Sequence, residues 1–197
     1  MKKISFVLGN GTSRKPINPA DLKEHGTIYG CNALYREFVP DYLIAVDTKM
    51  IIEICKNKYQ LKHPVWTNPN KAYSKFNGLN FFSPSKGWSS GPTALWKASQ
   101  DGADEIYILG FDYKGIGENN DKVNNVYADT YNYKRSADKA TYYGNWLKQT
   151  ATTIQKFQQK RYIRVVDKDT FVPKELSKLG NLAHISTEEF KKSFQIS

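Results

Sequence analysis

The sequence has few of the residues that would mark a secreted or metal-dependent protein. Only two cysteines occur among 197 residues, Cys31 and Cys55. Cys31 closes a predicted strand and Cys55 lies in an apolar helix, so we expect two reduced, buried thiols, which agrees with a cytoplasmic location. The three histidines are scattered, and no Cys/His cluster has the spacing of metal ligands. The sequence therefore predicts no metal site.

Long apolar runs are also missing. None approaches the roughly 18 residues that a membrane-spanning helix needs. The first three residues, Met-Lys-Lys, resemble the start of a signal peptide, but the apolar stretch behind them already stops at Leu8. That stretch is too short for the apolar region of a signal peptide. We therefore expect a cytoplasmic protein with no membrane span.

Acidic residues are outnumbered by basic ones. The chain has 29 Lys and Arg against 19 Asp and Glu, which gives a formal net charge of +10. Such a surface favours polyanionic partners, such as nucleic acid, a phosphorylated glycan or anionic headgroups, although a merely soluble cationic surface explains the charge equally well. The sequence makes no prediction about the oligomeric state.

Apolar segments alternate with amphipathic ones along the whole chain. The composition is globular, with 40% hydrophobic and 14% aromatic residues, and we expect one domain over residues 1–197. Strands are predicted at 3–8, 27–31, 42–47, 64–67, 79–83, 105–111 and 161–167, and helices at 19–25, 33–38, 48–57, 92–101, 137–159 and 187–195. Residues 186–189 form a capping-box sequence for the last helix. This alternation predicts an α/β fold, a single Rossmann-like domain with a mainly parallel sheet and helices on both faces.

The most informative stretch is the polar loop behind the first strand. Its residues are Gly9, Asn10, Gly11, Thr12, Ser13 and Arg14. The glycines let the backbone turn sharply and come close to a ligand, and the polar side chains suit phosphate, ribose or carboxylate. Arg14 breaks the complete G-x-G-x-x-G dinucleotide fingerprint. An ordinary turn between strand and helix is the alternative interpretation.

Further polar residues follow other predicted strands. Asn32, Asp47 and Asp112 each stand at or just behind a strand end, and parallel strands bring such positions to one edge of the sheet. Four residues around the start of the helix predicted at 92–101 are Ser89, Ser90, Gly91 and Thr93. Hydroxyls and free amides at a helix N-terminus bind phosphate well, and simple helix capping is the alternative. The sequence therefore predicts a convergent polar site.

A polar segment over residues 113–136 separates a buried strand from the longest predicted helix. Loops of this length inside compact domains are usually lids or binding loops. This one carries Tyr113 and Tyr127, two further tyrosines, and the cations Lys134 and Arg135. Tyrosine hydroxyls together with cations make a good phosphate clamp. A disordered surface loop is the alternative.

Several of these motifs together resemble a known family. They are Gly-Asn-Gly-Thr-Ser at 9–13, Cys-Asn at 31–32, Ser-Ser-Gly at 89–91, Glu-Ile-Tyr-Ile-Leu-Gly-Phe-Asp-Tyr at 105–113 and Tyr-Ala-Asp-Thr at 127–130. In order and approximate spacing, over roughly residues 4–160, they resemble the bacterial sialyltransferases of glycosyltransferase family 42. The resemblance extends to the related 6-hydroxymethylpterin diphosphokinase-like proteins. The runs at 29–35 and 40–47 resemble small proteins of T4-type tailed phages.

The resemblance implies a Rossmann-like variant of the GT-A type that binds a cytidine monophosphate sugar at its strand ends without a metal. By position, Asn10 and Asn32 would contact the nucleotide and its phosphate, Ser90 and Gly91 would bind the donor, and Tyr113 and Tyr127 would stabilise the leaving phosphate.

One departure concerns the general base. The family uses a His in a Tyr-x-Gly-His run, and the matching run here ends at Asn145. An amide is no useful proton acceptor near neutral pH. Another base is then needed, and we expect it to be Asp129, Asp112 or Asp47, in that order. We group Asn145 with the substrate-binding residues.

The sequence thus favours a metal-independent glycosyltransferase with no cofactor, whose substrate is a CMP- or UDP-type nucleotide sugar. Its acceptor would be a hydroxyl of a glycan or of modified phage DNA, in the host cytoplasm if the chain is phage-encoded. One alternative is a Mg²⁺-dependent pyrophosphokinase in which carboxylates such as Asp47 and Asp112 hold the metal. Another is a non-catalytic nucleic-acid-binding module. If Tyr127 acts on the departing phosphate, Tyr127→Phe should lower turnover far more than donor affinity.

Overall fold

One parallel sheet organises the part of the chain that the computed structural model describes, residues 2–166 and 171–197. Its strands are β1 (Ile4–Leu8), β2 (Thr27–Cys31), β3 (Tyr42–Ile44), β4 (Val65–Thr67), β5 (Leu79–Phe81), β6 (Glu105–Leu109), β7 (Arg161–Val166) and β8 (Leu182–Ser186). They lie in the order β5-β4-β3-β2-β1-β6-β7-β8, and all neighbours are parallel. The predicted α/β, Rossmann-like fold is confirmed.

Helices cover both faces of this sheet. The α-helices are α1 (Thr48–Lys56), α2 (Ser90–Gln100), α3 (Gly144–Lys156), α4 (Lys174–Ser177) and α5 (Thr187–Phe194), and short 3₁₀ helices span Thr12–Arg14, Pro19–Leu22, Asn32–Arg36, Tyr59–Leu61 and Lys71–Tyr73. The predicted capping box is confirmed at α5, where Glu189 N donates to Ser186 Oγ at 3.1 Å and Ser186 N donates to the Glu189 carboxylate at 2.7 Å.

Alternation along each central strand divides the core into layers. Val7 of β1 faces a cluster with Leu95 of α2 and Ile154 of α3. Its neighbour Phe6 faces the opposite layer, where Phe190 of α5 contacts it edge-on with ring centroids 6.1 Å apart. The two cysteines are free and buried, as expected. Nowhere in the described ranges does a helix combine the length and the apolar character that crossing a membrane would require.

Some element boundaries differ from the predictions. Strand β8 was missed because its five residues are few and half-polar and run directly into the cap of α5. The helices predicted at 19–25 and 33–38 are short 3₁₀ turns, since neither segment is long enough for a stable α-helix. Helix α3 begins only at Gly144, because the backbone before it pairs elsewhere: Ala140 N donates to Asp121 O. The predicted end of β7 at Asp167 lies outside the described residues.

The order of the strands places a switch point beside β1. The chain runs outward from β1 to β5 and then returns along α2 to β6, on the other side of β1. The connection behind β1 therefore leads to β2 and the one behind β6 leads to β7, on opposite sides of β1. In open α/β sheets, ligands bind in the crevice that forms at such a point.

Candidate functional site

A cavity of about 440 Å³ opens at the carboxyl edge of the sheet, at this switch point. Ten of the residues predicted from the sequence line it: Gly9, Asn10, Gly11, Asn32, Asp47, Ser89, Ser90, Gly91, Asp112 and Tyr113. They come from five separate segments of the chain, which the parallel topology brings together. Nine predicted residues do not line it: Thr12, Ser13, Arg14, Thr93, Tyr127, Asp129, Lys134, Arg135 and Asn145.

The glycines of the β1 loop allow two loops to meet. Gly9 N donates to Leu109 O at 2.8 Å and Gly11 N donates to Gly110 O at 2.9 Å, so both amides are bonded to the end of β6. A Cβ atom on Gly9 would lie 2.7 Å from Gly110 O, and one on Gly11 would lie 2.5 Å from the Asp112 carboxylate. These glycines thus let the β1 loop approach the β6 loop closely, and both also line the cavity.

Arg14 stabilises the β1 loop through hydrogen bonds of its guanidinium group. Its guanidinium donates to Gly9 O at 2.8 Å, to the Tyr127 hydroxyl at 2.7 Å and to Glu37 at 3.1 Å, and Arg14 is 6% exposed. The Tyr127 hydroxyl donates to Glu37 at 2.5 Å, and burial raises the pKa of Tyr127. Both polar groups are therefore bonded to the protein itself and face away from the cavity.

Hydrogen bonds also satisfy the other polar groups of the loop. The Asp112 carboxylate accepts from Ser13 N at 3.1 Å, from the Ser13 hydroxyl and from the Asn124 side-chain amide at 3.0 Å. The Asn124 amide oxygen in turn accepts from Thr12 N at 2.9 Å and from its hydroxyl at 2.8 Å. Asn124, which sequence reasoning missed, joins the 113–136 segment to the β1 loop.

Ser90 connects three elements at the base of the cavity. Its hydroxyl donates to Asn32 Oδ1 at 2.8 Å and accepts from Val46 N at 3.1 Å. Asn32 directly follows β2 and has a φ of 53°, a left-handed conformation that Asn tolerates better than most residues. One serine thereby holds the ends of β2 and β3 against the start of α2.

Backbone N–H groups at the start of α2 remain without an acceptor among the described residues. Ser89 is its N-cap and makes no side-chain cap hydrogen bond, and Pro92 has no N–H. The amide and the hydroxyl of Thr93 both donate to Ser89 O, at 3.0 and 2.8 Å, so neither donor of Thr93 is available to a ligand. No acceptor among the described residues pairs with the amides of Ser90 and Gly91, which lie in the wall of the cavity.

The amide of Asn10 also has unused capacity. Its Nδ2 donates to the Tyr133 hydroxyl at 3.3 Å, while its Oδ1 is buried without a hydrogen-bond partner among the described residues. The Tyr133 hydroxyl can bond either end of that amide, so one polar atom of Asn10 is unpaired in both orientations. An unpaired buried polar atom costs about 1–3 kcal/mol, which a ligand group could recover.

The cavity has an aromatic wall, of which the sequence predicted only Tyr133, one of the four tyrosines of the 113–136 segment. It consists of Trp88, Tyr133, Tyr143 and Trp146. Tyr143 and Trp146 fit the apolar stripe of the helix predicted at 137–159, and that pattern cannot separate core from cavity. The position of Trp88, directly before Ser89, was the one signal available. Tyr113 contributes to the lining, but its hydroxyl donates to Thr150 at 2.6 Å in the interior.

Of the residues that the structure describes, three with charged side chains line the cavity: Asp47, Asp112 and Lys114. Asp47 is the N-cap of α1 without a side-chain cap bond, and it is exposed. In contrast to Asp112, its carboxylate receives no hydrogen bond from a described residue. No group of three or more His, Cys, Asp or Glu residues in the described ranges could hold a metal ion.

The first-ranked base from the sequence lies elsewhere. Asp129 is exposed and accepts a hydrogen bond from Ser136 N at 3.0 Å. Hydrogen bonds from the backbone and the side chain of Ser136 lower the pKa of Asp129. Lys134, Arg135 and Asn145 are exposed as well and lie outside the cavity lining. Of the predicted clamp, the tyrosines Tyr113 and Tyr133 line the cavity, whereas its two cations do not.

Comparison with known proteins gives no relative: no family model matches this chain, and no curated protein or solved structure matches it either.

Proposed function

We propose that the protein is a glycosyltransferase that binds a nucleotide sugar in this cavity and transfers the sugar to a hydroxyl group without a metal ion. The observation that carries the proposal is the convergence, at the switch point, of unpaired donors on α2, the unpaired amide of Asn10 and an aromatic wall. Donors suit a phosphate, and aromatic rings suit a base or a sugar. The motifs that resemble family 42 supply most of this lining.

The start of α2 is where the phosphate would bind. The amides of Gly9 and Gly11 are already bonded, whereas those of Ser90 and Gly91 are not, and the helix dipole adds to their attraction for an anion. These amides would also stabilise charge on the departing phosphate, the role that the resemblance gives to Tyr113 and Tyr127.

The charges of the lining favour a donor with one phosphate. Two carboxylates and one ammonium line the cavity, so the site offers little compensation for a diphosphate that arrives without a cation. A CMP-type donor, with a single phosphodiester charge, fits this lining better than a UDP-type donor.

Asp47 is the base that the geometry favours. Its carboxylate lines the cavity and is not held by other residues, so it could accept the proton of the acceptor hydroxyl. The acceptor oxygen then forms the new bond to the sugar, while the bond from the sugar to the phosphate breaks and its electron pair stays on the phosphate. The net charge of +10 supports a polyanionic acceptor, modified phage DNA or a glycan.

A thermal-shift screen with CMP, UDP, GDP and ATP, each with Mg²⁺ or with EDTA, tests the proposal. We expect CMP to raise Tm equally in both conditions. A shift with ATP that requires Mg²⁺ would favour the pyrophosphokinase, for which Asp47 and Asp112 are available. Salt-sensitive DNA binding without any nucleotide shift would indicate a nucleic-acid-binding module instead.

The phosphate position is tested by two substitutions at one residue. Ser90→Ala removes the hydroxyl, and Ser90→Pro removes the hydroxyl and the N–H. Proline is well tolerated at the first position of a helix, and Ser89 already has the extended conformation that a following proline requires. We expect Ser90→Pro to bind CMP about tenfold more weakly than Ser90→Ala, because it lacks a charge-assisted donor. Equal affinities would place the phosphate elsewhere.

The base is tested by a matched pair of carboxylates. Asp47→Asn should lower turnover by about 100-fold or more while donor affinity changes little. Asp129→Asn, at an exposed position outside the cavity, should leave both values near those of the wild type. If Asp129→Asn loses turnover and Asp47→Asn does not, the base is Asp129, the residue that the sequence ranks first.

A further inference from the structure

Trp88 is the aromatic residue of the cavity lining that lies nearest in sequence to the free amides of α2. It is half-buried and directly precedes the cap of α2, while residues 83–87 before it are all exposed. Aromatic side chains that line a cavity are the usual apolar contacts of a bound small molecule. Trp88 therefore combines an aromatic surface with immediate proximity to the free amides of α2.

The orientation of this indole is fixed by its neighbours. Trp88 meets Trp96 of α2 edge-on, with ring centroids 5.5 Å apart and an interplanar angle of 89°, and Trp96 meets Phe157 at 5.1 Å. The Lys86 ammonium lies 4.8 Å from the centroid of Trp88 and 3.7 Å from that of Trp96. One face of the Trp88 ring is thereby covered by a cation. Part of the half-buried indole borders the cavity.

The distance to the phosphate position suits a nucleotide. Ser89 is extended, with φ −66° and ψ 158°, and two residues of extended chain span at most about 7 Å. The backbone positions of Trp88 and Ser90 are thus at most about 7 Å apart, a separation that a ribose can bridge. Among the other aromatic side chains of the wall, Tyr143 and Trp146 contact each other at 5.4 Å, and Tyr133 packs on Tyr127 at 5.6 Å.

From this geometry we infer that Trp88 is the stacking platform for the nucleobase, and that it recognises the base by its aromatic face. The inference rests on the proposed binding of a nucleotide in this cavity. Stacking alone accepts every base, because each one presents a π-face. We therefore expect CMP, UMP and AMP to share this contact.

The test compares a nucleotide with its base-free counterpart. CMP and ribose 5-phosphate both carry a ribose and a phosphate, but only CMP carries a base. Trp88→Ala should weaken CMP binding about 10- to 100-fold, the range for a stacked base, and should leave the affinity for ribose 5-phosphate unchanged. Trp88→Phe should retain most of the CMP affinity. CMP, but not ribose 5-phosphate, should also quench the tryptophan fluorescence of the wild type.

Trp96→Phe is the matched control, since Trp96 supports Trp88 but does not line the cavity. It should bind CMP within about threefold of the wild type and give the same Tm as Trp88→Phe to within a few degrees. An equal loss for CMP and ribose 5-phosphate in Trp88→Ala, or no loss for CMP, overturns the inference while nucleotide binding stands. A wild-type protein that binds no nucleotide overturns the proposed function and, with it, this inference.

Discussion

Two glycine-containing polar segments line the cavity, the β1 loop and the start of α2. They differ in whether their backbone N–H groups already donate hydrogen bonds to other parts of the protein. In the β1 loop the amides of Gly9 and Gly11 are bonded to β6, and Arg14 is bonded beneath the loop. At the start of α2 the amides of Ser90 and Gly91 have no partner among the described residues. The second segment therefore retains hydrogen-bonding capacity that the glycine amides of the first segment do not.

The difference shows why a conspicuous motif need not be a binding motif. Both segments contain the residue types that bind phosphate, and composition alone ranks the β1 loop higher. What separates them is whether backbone donors remain unpaired, and that depends on what lies beside each segment. We therefore expect substitutions in the β1 loop to change stability, and substitutions at the start of α2 to change binding.

The largest expected effect is that of Gly11→Ala on stability. The new methyl group would lie 2.5 Å from the Asp112 carboxylate, so one of the two loops must move. Overpacking of this kind costs about 3 kcal/mol. Urea unfolding should show the loss, whereas Gly180→Ala, which meets nothing within 4 Å, should stay within about 1 kcal/mol of the wild type. Equal stabilities would show that the contact between the loops is not tight.

Arg14→Met should have the next largest effect. It leaves Gly9 O without its side-chain donor and Tyr127 without the guanidinium, and unpaired buried groups of this kind cost about 2 kcal/mol. Calorimetry should therefore show a lower Tm. Below that Tm, the affinity for CMP should stay within about threefold of the wild type, because Arg14 does not line the cavity. A selective loss of affinity would make the β1 loop a binding element after all.

Tyr127→Phe should have a smaller effect, of about 1 kcal/mol on stability. The structure places this hydroxyl on Glu37 and Arg14, so removing it should change kcat and KM little. Steady-state kinetics with a nucleotide-sugar donor would check this. A large loss of kcat alone would support the role implied by the resemblance and would require the 113–136 segment to rearrange during the reaction.

The smallest expected effect is the stability that the protein loses at acid pH when the Glu53 carboxylate is protonated. Burial acts to raise the pKa of Glu53, but hydrogen bonds from Tyr35, Arg36 and Asn132 outweigh it and hold the pKa below its ordinary value of 4.5. The folded pKa is thus the lower one. The carboxylate stabilises the fold above the unfolded pKa, and this contribution is lost as the pH falls through the folded pKa.

Urea midpoints at pH 6 and pH 3 would measure this contribution. The difference between the two midpoints should be smaller in Glu53→Gln than in the wild type. Because Asn132 belongs to the segment that carries Tyr133, acid should loosen the wall of the cavity and leave the start of α2 intact. An identical difference in both proteins would remove Glu53 from this role.

Much of the fold could be predicted because its signals are local. Apolar runs such as residues 106–109 indicate buried strands, and the capping box at 186–189 fixes the start of the last helix. Once the strands are parallel, their polar ends must share one edge, which is why Asn10, Asn32, Ser90 and Asp112 were correctly grouped. Strand β8 lacked such a signal, because its pairing with β7 supplies the order that its short sequence does not.

The site was less predictable because side-chain direction is not local. Arg14 and Tyr127 stand in motifs that suit phosphate, yet they bond each other. Trp146 fits the apolar stripe of a helix and still lines the cavity. In each case a partner more than a hundred residues away in the chain, or the position of a helix end, decides the role.

The sequence by itself determined the alternation of strands and helices, the parallel sheet and the edge at which polar residues gather, since these follow from local apolar patterns and turns. Only the tertiary structure decided which of those residues are free. A polar group can bind a ligand only where the fold leaves its hydrogen bond unmade. At this edge the amides of Gly9 and Gly11 are bonded to the end of β6, whereas Asn10 keeps an unpaired polar atom and the amides of Ser90 and Gly91 have no partner among the described residues.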